Sequence, residues 1–242
     1  MDLNTATSVL INESKPIAER MNAVFALKSL NNEKAIESLN SGFSSTSNLL
    51  THEIAYVMGQ MQNKYAIPFL NNILRNTEND SITRHEAGEA LAAIGDPASI
   101  LILSKFVNDE KVNVSETCIL GMDTLKFKES NQWKQSTRFD SMDPAPPNGC
   151  SNVEKLSADL LNKKLSLFDR YSALFQLREI GTRRAVSGIT KGFCDESSLF
   201  KHEIAYVLGQ LQDESALESL EKVLRDENEH SMVRHEVFLR SY

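Results

Sequence analysis

The sequence predicts an all-α protein: an α-solenoid of HEAT-type helical-hairpin repeats, arranged as two pseudo-symmetric halves joined by a linker. Three observations lead there. First, "HEIAYVMGQ" at His52 returns as "HEIAYVLGQ" at His202, 150 residues later with one letter changed. Second, His52 and His85 lie 33 residues apart, as do His202 and His235, while Arg20 and His52 are 32 apart. Third, strand-like alternation is scarce, and prolines and glycines fall where helices should begin or end. A period in the low thirties made of paired helices is the signature of stacked repeats, each burying its apolar face on its neighbour.

Taken in order, the elements support this reading. "MDLNTATSVLINESKP" lacks the basic start and apolar centre of a secretion signal. "ERMNAVFALKSL" (Glu19 to Leu30) matches "DRYSALFQLREI" (Asp169 to Ile180) at the 150-residue offset. The His52 helix follows, and then "KYAIPFLNNILRN", where Pro68 suits an early helical turn that has no use for its missing N–H. "ITRHE" (Ile82 to Glu86) matches "MVRHE" (Met232 to Glu236), again at 150. Gly95 should stop that helix and Pro97 restart the chain. "VNVSETCILGMDTL" (Val112 to Leu125) adds a fourth unit.

The expected organisation is a first half over residues 1–125, a linker over 126–152 and a second half over 153–242. The linker contains Trp133 and "SMDPAPPNG", with three of the six prolines, so it should be extended. The second half has no counterpart of the fourth unit and is expected to lack its last repeat.

Composition narrows the function. The net charge is −7, from 26 Lys and Arg against 33 Asp and Glu, which argues against nucleic acid as a partner. An acidic surface suits a basic partner or a metal cation. Cys118, Cys150 and Cys194 form no CxxC pair and read as reduced thiols of a cytosolic or nuclear protein. No apolar run approaches the ~20 residues of a membrane span.

Four of the five histidines sit in His-Glu dipeptides: His52-Glu53, His85-Glu86, His202-Glu203 and His235-Glu236. At about 100° per residue, Leu50, Ile54, Val57 and Met61 share one stripe, which should face the core. His52 lies nearly opposite, beside Ala55 and Gly59, and Glu53 flanks it. Ala87, Ala90, Leu91 and Ile94 make the matching stripe around His85 and Glu86, and the second half repeats the pattern. One such pair is most simply a polar surface feature. Four in a single helical phase and at a single spacing point to metal or catalytic chemistry instead.

Imidazole with carboxylate suits Fe(II), Zn(II) or Mn(II). Helices packed about 8–10 Å apart let two inner side chains meet. Each half then offers two histidines and two glutamates, and the duplication offers two such sets, which could face each other as a dinuclear centre. A two-metal hydrolase would use similar ligands, and a non-catalytic HEAT scaffold is the other alternative. HExxH, G-x-S-x-G, Walker and G-x-G-x-x-G patterns are absent. His230, in the polar turn "DENEHS", reads as a bystander.

Taken together, "HEIAYVMGQMQ", "RHEAGEALAAIGD", "DPAPP", "KHEIAYVLGQLQ" and "VRHE" resemble the deoxyhypusine hydroxylase family, from about residue 17 to 236. The resemblance implies a di-iron monooxygenase that hydroxylates the deoxyhypusine side chain of translation initiation factor five-A. It would use O2 and an electron donor that the sequence does not name. Carried over, His52, His85 and Glu86 would hold one iron, and His202, His235 and Glu236 the other. Glu53 and Glu203 would meet the substrate amines or serve as additional iron ligands. Family members continue through one further repeat, whereas this chain ends six residues after Glu236, so the helix of the second set is expected to be short.

Overall fold

The computed structural model describes residues 1–130, 133 and 138–240, with the backbone alone at 239 and 240. The described residues form fourteen α-helices with short 3-10 turns and no strand. They fall into two compact units, Met1–Ser130 and Asn131–Tyr242.

The first unit runs α1 (Leu3–Ile11), α2 (Ile17–Leu30), α3 (Glu33–Ser41), α4 (Asn48–Gln60), α5 (Ile67–Arg75), α6 (Ser81–Ile94), α7 (Ser99–Leu103) and α8 (Val112–Glu129). The second runs α9 (Val153–Leu161), α10 (Leu167–Ile180), α11 (Arg183–Thr190), α12 (Ser198–Leu211), α13 (Leu217–Arg225) and α14 (Ser231–Arg240). Each helix of the second unit starts 150 residues after its counterpart in the first. The duplication therefore includes α1 and α9, whose letters had diverged too far to be matched by eye.

Caps set the boundaries. Asp2, Asn32, Ser47 and Asp80 accept backbone N–H bonds at the starts of α1, α3, α4 and α6. Asn152, Ser166, Thr182 and Ser197 do the same for α9 to α12. Each satisfies a donor the helix itself cannot. Pro68 lies in the first turn of α5. Gly95 ends α6 with φ of 78°, a left-handed conformation that costs glycine little. His230 turns out to be a cap: its Nδ1 accepts from the Met232 N–H at 3.2 Å, where the first unit uses Asp80 for Ile82.

Within each unit the longer helices α4, α6 and α12 are buried nearly all round. Leu50, Ile54 and Val57 are fully buried, as the apolar stripe requires, but so is Ala55 on the opposite face. A second series of buried side chains repeats with the fold. The Nε of Arg20, Arg84, Arg170 and Arg234 donates to the carbonyl of Leu10, Leu74, Leu160 and Leu224, each ten residues upstream. These arginines tie each inner helix to the end of the helix before it.

The proline segment was expected to be an extended linker. Helix α8 runs on to Glu129, and residues 131, 132 and 134–137 of the segment lie outside the described residues. Its later part is irregular backbone, as the prolines demand, yet residues 143–146 are buried in the second unit. Arg178, fully buried, anchors it there with a paired contact to Asp143 and a 2.7 Å bond to Gln210 Oε1. The Arg178 guanidinium also stacks on Phe139 and Phe175, 4.5 and 4.7 Å from the ring centres. Lysine, which occupies the equivalent position 28, could supply neither the fork nor the flat face.

Candidate metal centre

In the first unit, α4 presents His52 and Glu53, and α6 presents His85 and Glu86. The two helices approach closely because Gly59 has no side chain. A Cβ there would lie 2.7 Å from the Cα of Ala90. A buried hydroxyl pair, Thr51 Oγ1 to Thr83 Oγ1 at 2.7 Å, ties the same helices near their starts.

This approach brings residues from different dipeptides together. His52 Nε2 lies 3.0 Å from Glu86 Oε2, and His85 Nε2 lies 3.6 Å from the same oxygen. His52 Nδ1 is 3.6 Å from Glu53 Oε1. The two imidazole centres are 5.8 Å apart. All four side chains are buried, His85 completely. Glu89, one turn beyond Glu86 and half-buried, adds a carboxylate oxygen within 4.8 Å of donor atoms of His85 and Glu86.

The second unit repeats the central contact: His202 Nε2 lies 3.3 Å from Glu236 Oε2. His202, Glu203 and Glu236 are buried, and His235 is half-buried. The sequence singled out these dipeptides. That each histidine of the first dipeptide pairs with the glutamate of the second, across two helices, is visible only in three dimensions.

Burying so many ionisable groups costs on the order of several kcal/mol per charge unless each is compensated. Burial alone would lower the affinity of His52 for a proton. The Glu86 charge, with the Glu53 carboxylate close by, reverses this and raises its pKa well above the ordinary value. The carboxylates thus create a strong demand for positive charge at this point, which a metal ion can meet as a proton does. Donor atoms 3.0–3.6 Å apart fit one coordination sphere, since metal–ligand bonds of about 2.1 Å put neighbouring ligands about 3 Å apart. Nitrogen and carboxylate oxygen without thiolate suit iron, zinc or manganese. The residues present therefore fit a divalent metal.

A family description, HEAT repeats, matches residues 43–123 and 161–239. The chain is 42% identical to the deoxyhypusine hydroxylase of Drosophila melanogaster over 230 residues, 94% of this chain and 76% of that one. It is 40% identical to the Danio rerio enzyme of the same name over 240 residues, 97% of this chain and 79% of that one. The solved structure of human deoxyhypusine hydroxylase in complex with glycerol superposes with a TM-score of 0.95 at 39% identity. That match covers 97% of this chain and 82% of the human one.

The chain belongs to the deoxyhypusine hydroxylase family. The family likeness extends over nearly the whole chain. Two residues near the histidines have no signal in the sequence. One is Thr117, whose hydroxyl lies 3.3 Å from His85 Nδ1. The other is Glu89, whose carboxylate oxygen lies within 4.8 Å of donor atoms of His85 and Glu86. Threonine is a poor metal ligand, and a lone glutamate on a charged helix carries no pattern, so neither gave a signal.

Proposed function

We propose that this chain is a deoxyhypusine monooxygenase in which each unit holds one iron, the first through His52, His85 and Glu86, the second through His202, His235 and Glu236. The observation that carries the reading is the cross-helix His-Glu contact, built once per unit at a 150-residue offset, in a chain about 40% identical to deoxyhypusine hydroxylases over nearly its whole length.

Iron, when bound, supplies the O2 reduction chemistry that no protein side chain carries. The protein's own part is to hold, orient and exclude. Helices α4, α6, α12 and α14 fix the imidazoles and carboxylates, so little reorganisation is needed when charge develops. Glu53 and Glu203 are buried beside the histidines. In this reading the role of Glu53 and Glu203 is to receive the amines of the deoxyhypusine side chain, which would fix the carbon to be hydroxylated, or to serve as additional iron ligands. Ile54 and Ile204, fully buried on the core faces of α4 and α12, hold the helices that carry these side chains in place. Insertion of one oxygen atom from O2 requires two electrons and two protons to carry the other oxygen to water, so an external electron donor is part of the reaction.

The substrate is a side chain on a protein, translation initiation factor five-A. The acidic surface of this chain, with net charge −7, favours a basic partner. The three unpaired cysteines support a cytosolic or nuclear setting, and no helix among the described residues is long and apolar enough to cross a membrane.

The test is to load the metal-stripped chain with Fe(II) without air and supply the deoxyhypusine-bearing factor, reductant and O2. A mass gain of one oxygen atom on the modified lysine is expected. Glu86→Gln should remove the iron of the first unit and abolish the gain. Full iron content and full turnover in Glu86→Gln would refute the assignment.

A further inference from the structure

We propose that Thr117 is a positioning residue for the metal site of the first unit: its hydroxyl accepts the Nδ1 proton of His85 and so commits Nε2, as a lone pair, to the metal. This rests on the reading of His85 as a ligand. The imidazole of His85 is fully buried, and its two nitrogens face different groups. Nε2 points toward Glu86 Oε2 at 3.6 Å, on the side of the cluster, while Nδ1 points toward Thr117 Oγ1 at 3.3 Å. A neutral imidazole has one N–H and one lone pair. If Nε2 binds a metal, the proton must sit on Nδ1, and Thr117 is placed to receive it. Partners of this kind fix the tautomer and the ring plane of a ligating histidine.

The local packing holds Thr117 in the required pose. A threonine in a helix commonly turns its hydroxyl back to its own backbone, as Thr124 does to the Leu120 carbonyl four residues earlier in the same helix. The Thr117 hydroxyl instead crosses to α6. Its methyl is the reason. Gly88, three residues beyond His85, leaves room for it: a Cβ at Gly88 would come within 3.2 Å of Thr117 Cγ2. Gly121, one turn further along α8, would meet Ala92 Cβ at 3.1 Å. Two glycines thus bring α8 against α6, the Thr117 methyl fills the gap, and the hydroxyl is left aimed at the ring. Thr117 is 2% exposed, so bulk water does not compete for the imidazole.

The experiment uses Co²⁺ as the probe, titrated into the metal-stripped full chain and read by its visible absorption. Thr117→Val keeps the shape and removes the acceptor, and Thr117→Ser keeps the acceptor and removes the methyl. Thr117→Ala is a second variant without the hydroxyl, should the valine fold poorly, and circular dichroism melting reports folding of each. The wild type should bind two Co²⁺. In Thr117→Val and Thr117→Ala one of the two should bind about 10–100-fold more weakly with altered bands, and Thr117→Ser, which keeps the acceptor but loses the methyl that aims it, should lie between them and wild type. Wild-type affinity and spectrum in the valine and alanine variants would overturn the proposal, as would a serine variant as weak as they are. His85→Ala distinguishes the deeper failure: if it binds Co²⁺ as the wild type does, His85 is not a ligand and the metal reading itself falls.

Discussion

Cys118 and His52 are both buried, and their surroundings act on them in opposite ways. Burial pushes the Cys118 thiol up to about 12, because nothing beside it compensates a thiolate strongly enough. Two carboxylates do compensate an imidazolium at His52. The same low dielectric thus silences one group and prepares the other to meet a cation. Cys118 is therefore expected to resist a thiol-labelling reagent until the chain unfolds, while exposed Cys194 reacts at once. Peptide mapping after brief labelling would show it, and early labelling at Cys118 would contradict it. At this scale the His-Glu dipeptides were legible because histidine is rare in the chain and keeps one helical phase. Thr117 was not, since a hydroxyl becomes informative only once its neighbour is known.

At the scale of helices, closeness decides whether the site exists. His52 on α4 reaches Glu86 on α6 because Gly59 lets the two backbones approach. Gly59→Val would drive a side chain into the Ala90 backbone. Such overpacking typically costs ~1–3 kcal/mol, and the helices should separate enough to weaken metal binding. A lower urea midpoint together with reduced metal affinity is expected. An unchanged midpoint would mean that the approach is not tight.

The buried arginines are the second device at this scale. Arg84 holds the Leu74 carbonyl through Nε and grips Asp109 with its two terminal guanidinium nitrogens. Burial raises the Asp109 carboxyl, but the Arg84 contact, with the Lys111 N–H, more than reverses it and leaves the pKa lowered. A carboxyl lowered on folding adds stability that is complete above its unfolded pKa and fades as pH falls through its folded one. Asp109→Ala should cost on the order of 1–3 kcal/mol at neutral pH, as loss of hydrogen bonds to a charged group does. The cost should shrink in acid, below the ordinary carboxylate range. Denaturant titrations at neutral and acid pH test both statements. The matched segments carry these arginines at the 150-residue offset, but not their role, because each binds a backbone carbonyl rather than a second recognisable residue.

For the whole molecule, duplication and charge matter most. Two copies of one helical plan give two copies of one His-Glu contact, so a single solution, duplicated, would supply both of the metal sites proposed. The net charge of −7 is spread over a chain whose proposed substrate is a basic protein surface. Association with the deoxyhypusine-bearing factor should therefore slow as ionic strength rises, by roughly tenfold from low to physiological salt if steering dominates. Stopped-flow association rates at several salt concentrations would test this, and a rate insensitive to salt would remove electrostatics from the account.

The sequence by itself determined the all-α repeat architecture, the 150-residue duplication and the four His-Glu dipeptides. These are properties of period, and period survives in a string of letters because 3.6 residues per turn and a fixed hairpin length impose it. The tertiary structure alone decided that His52 pairs with Glu86 rather than chiefly with its own neighbour Glu53, and that Thr117 faces His85. It also decided that the proline segment is anchored by Arg178. The physical reason is common to all three. Each depends on how closely two backbones approach and how a side chain is turned at that distance, and glycine contacts and buried forks set those distances without leaving any period in the sequence.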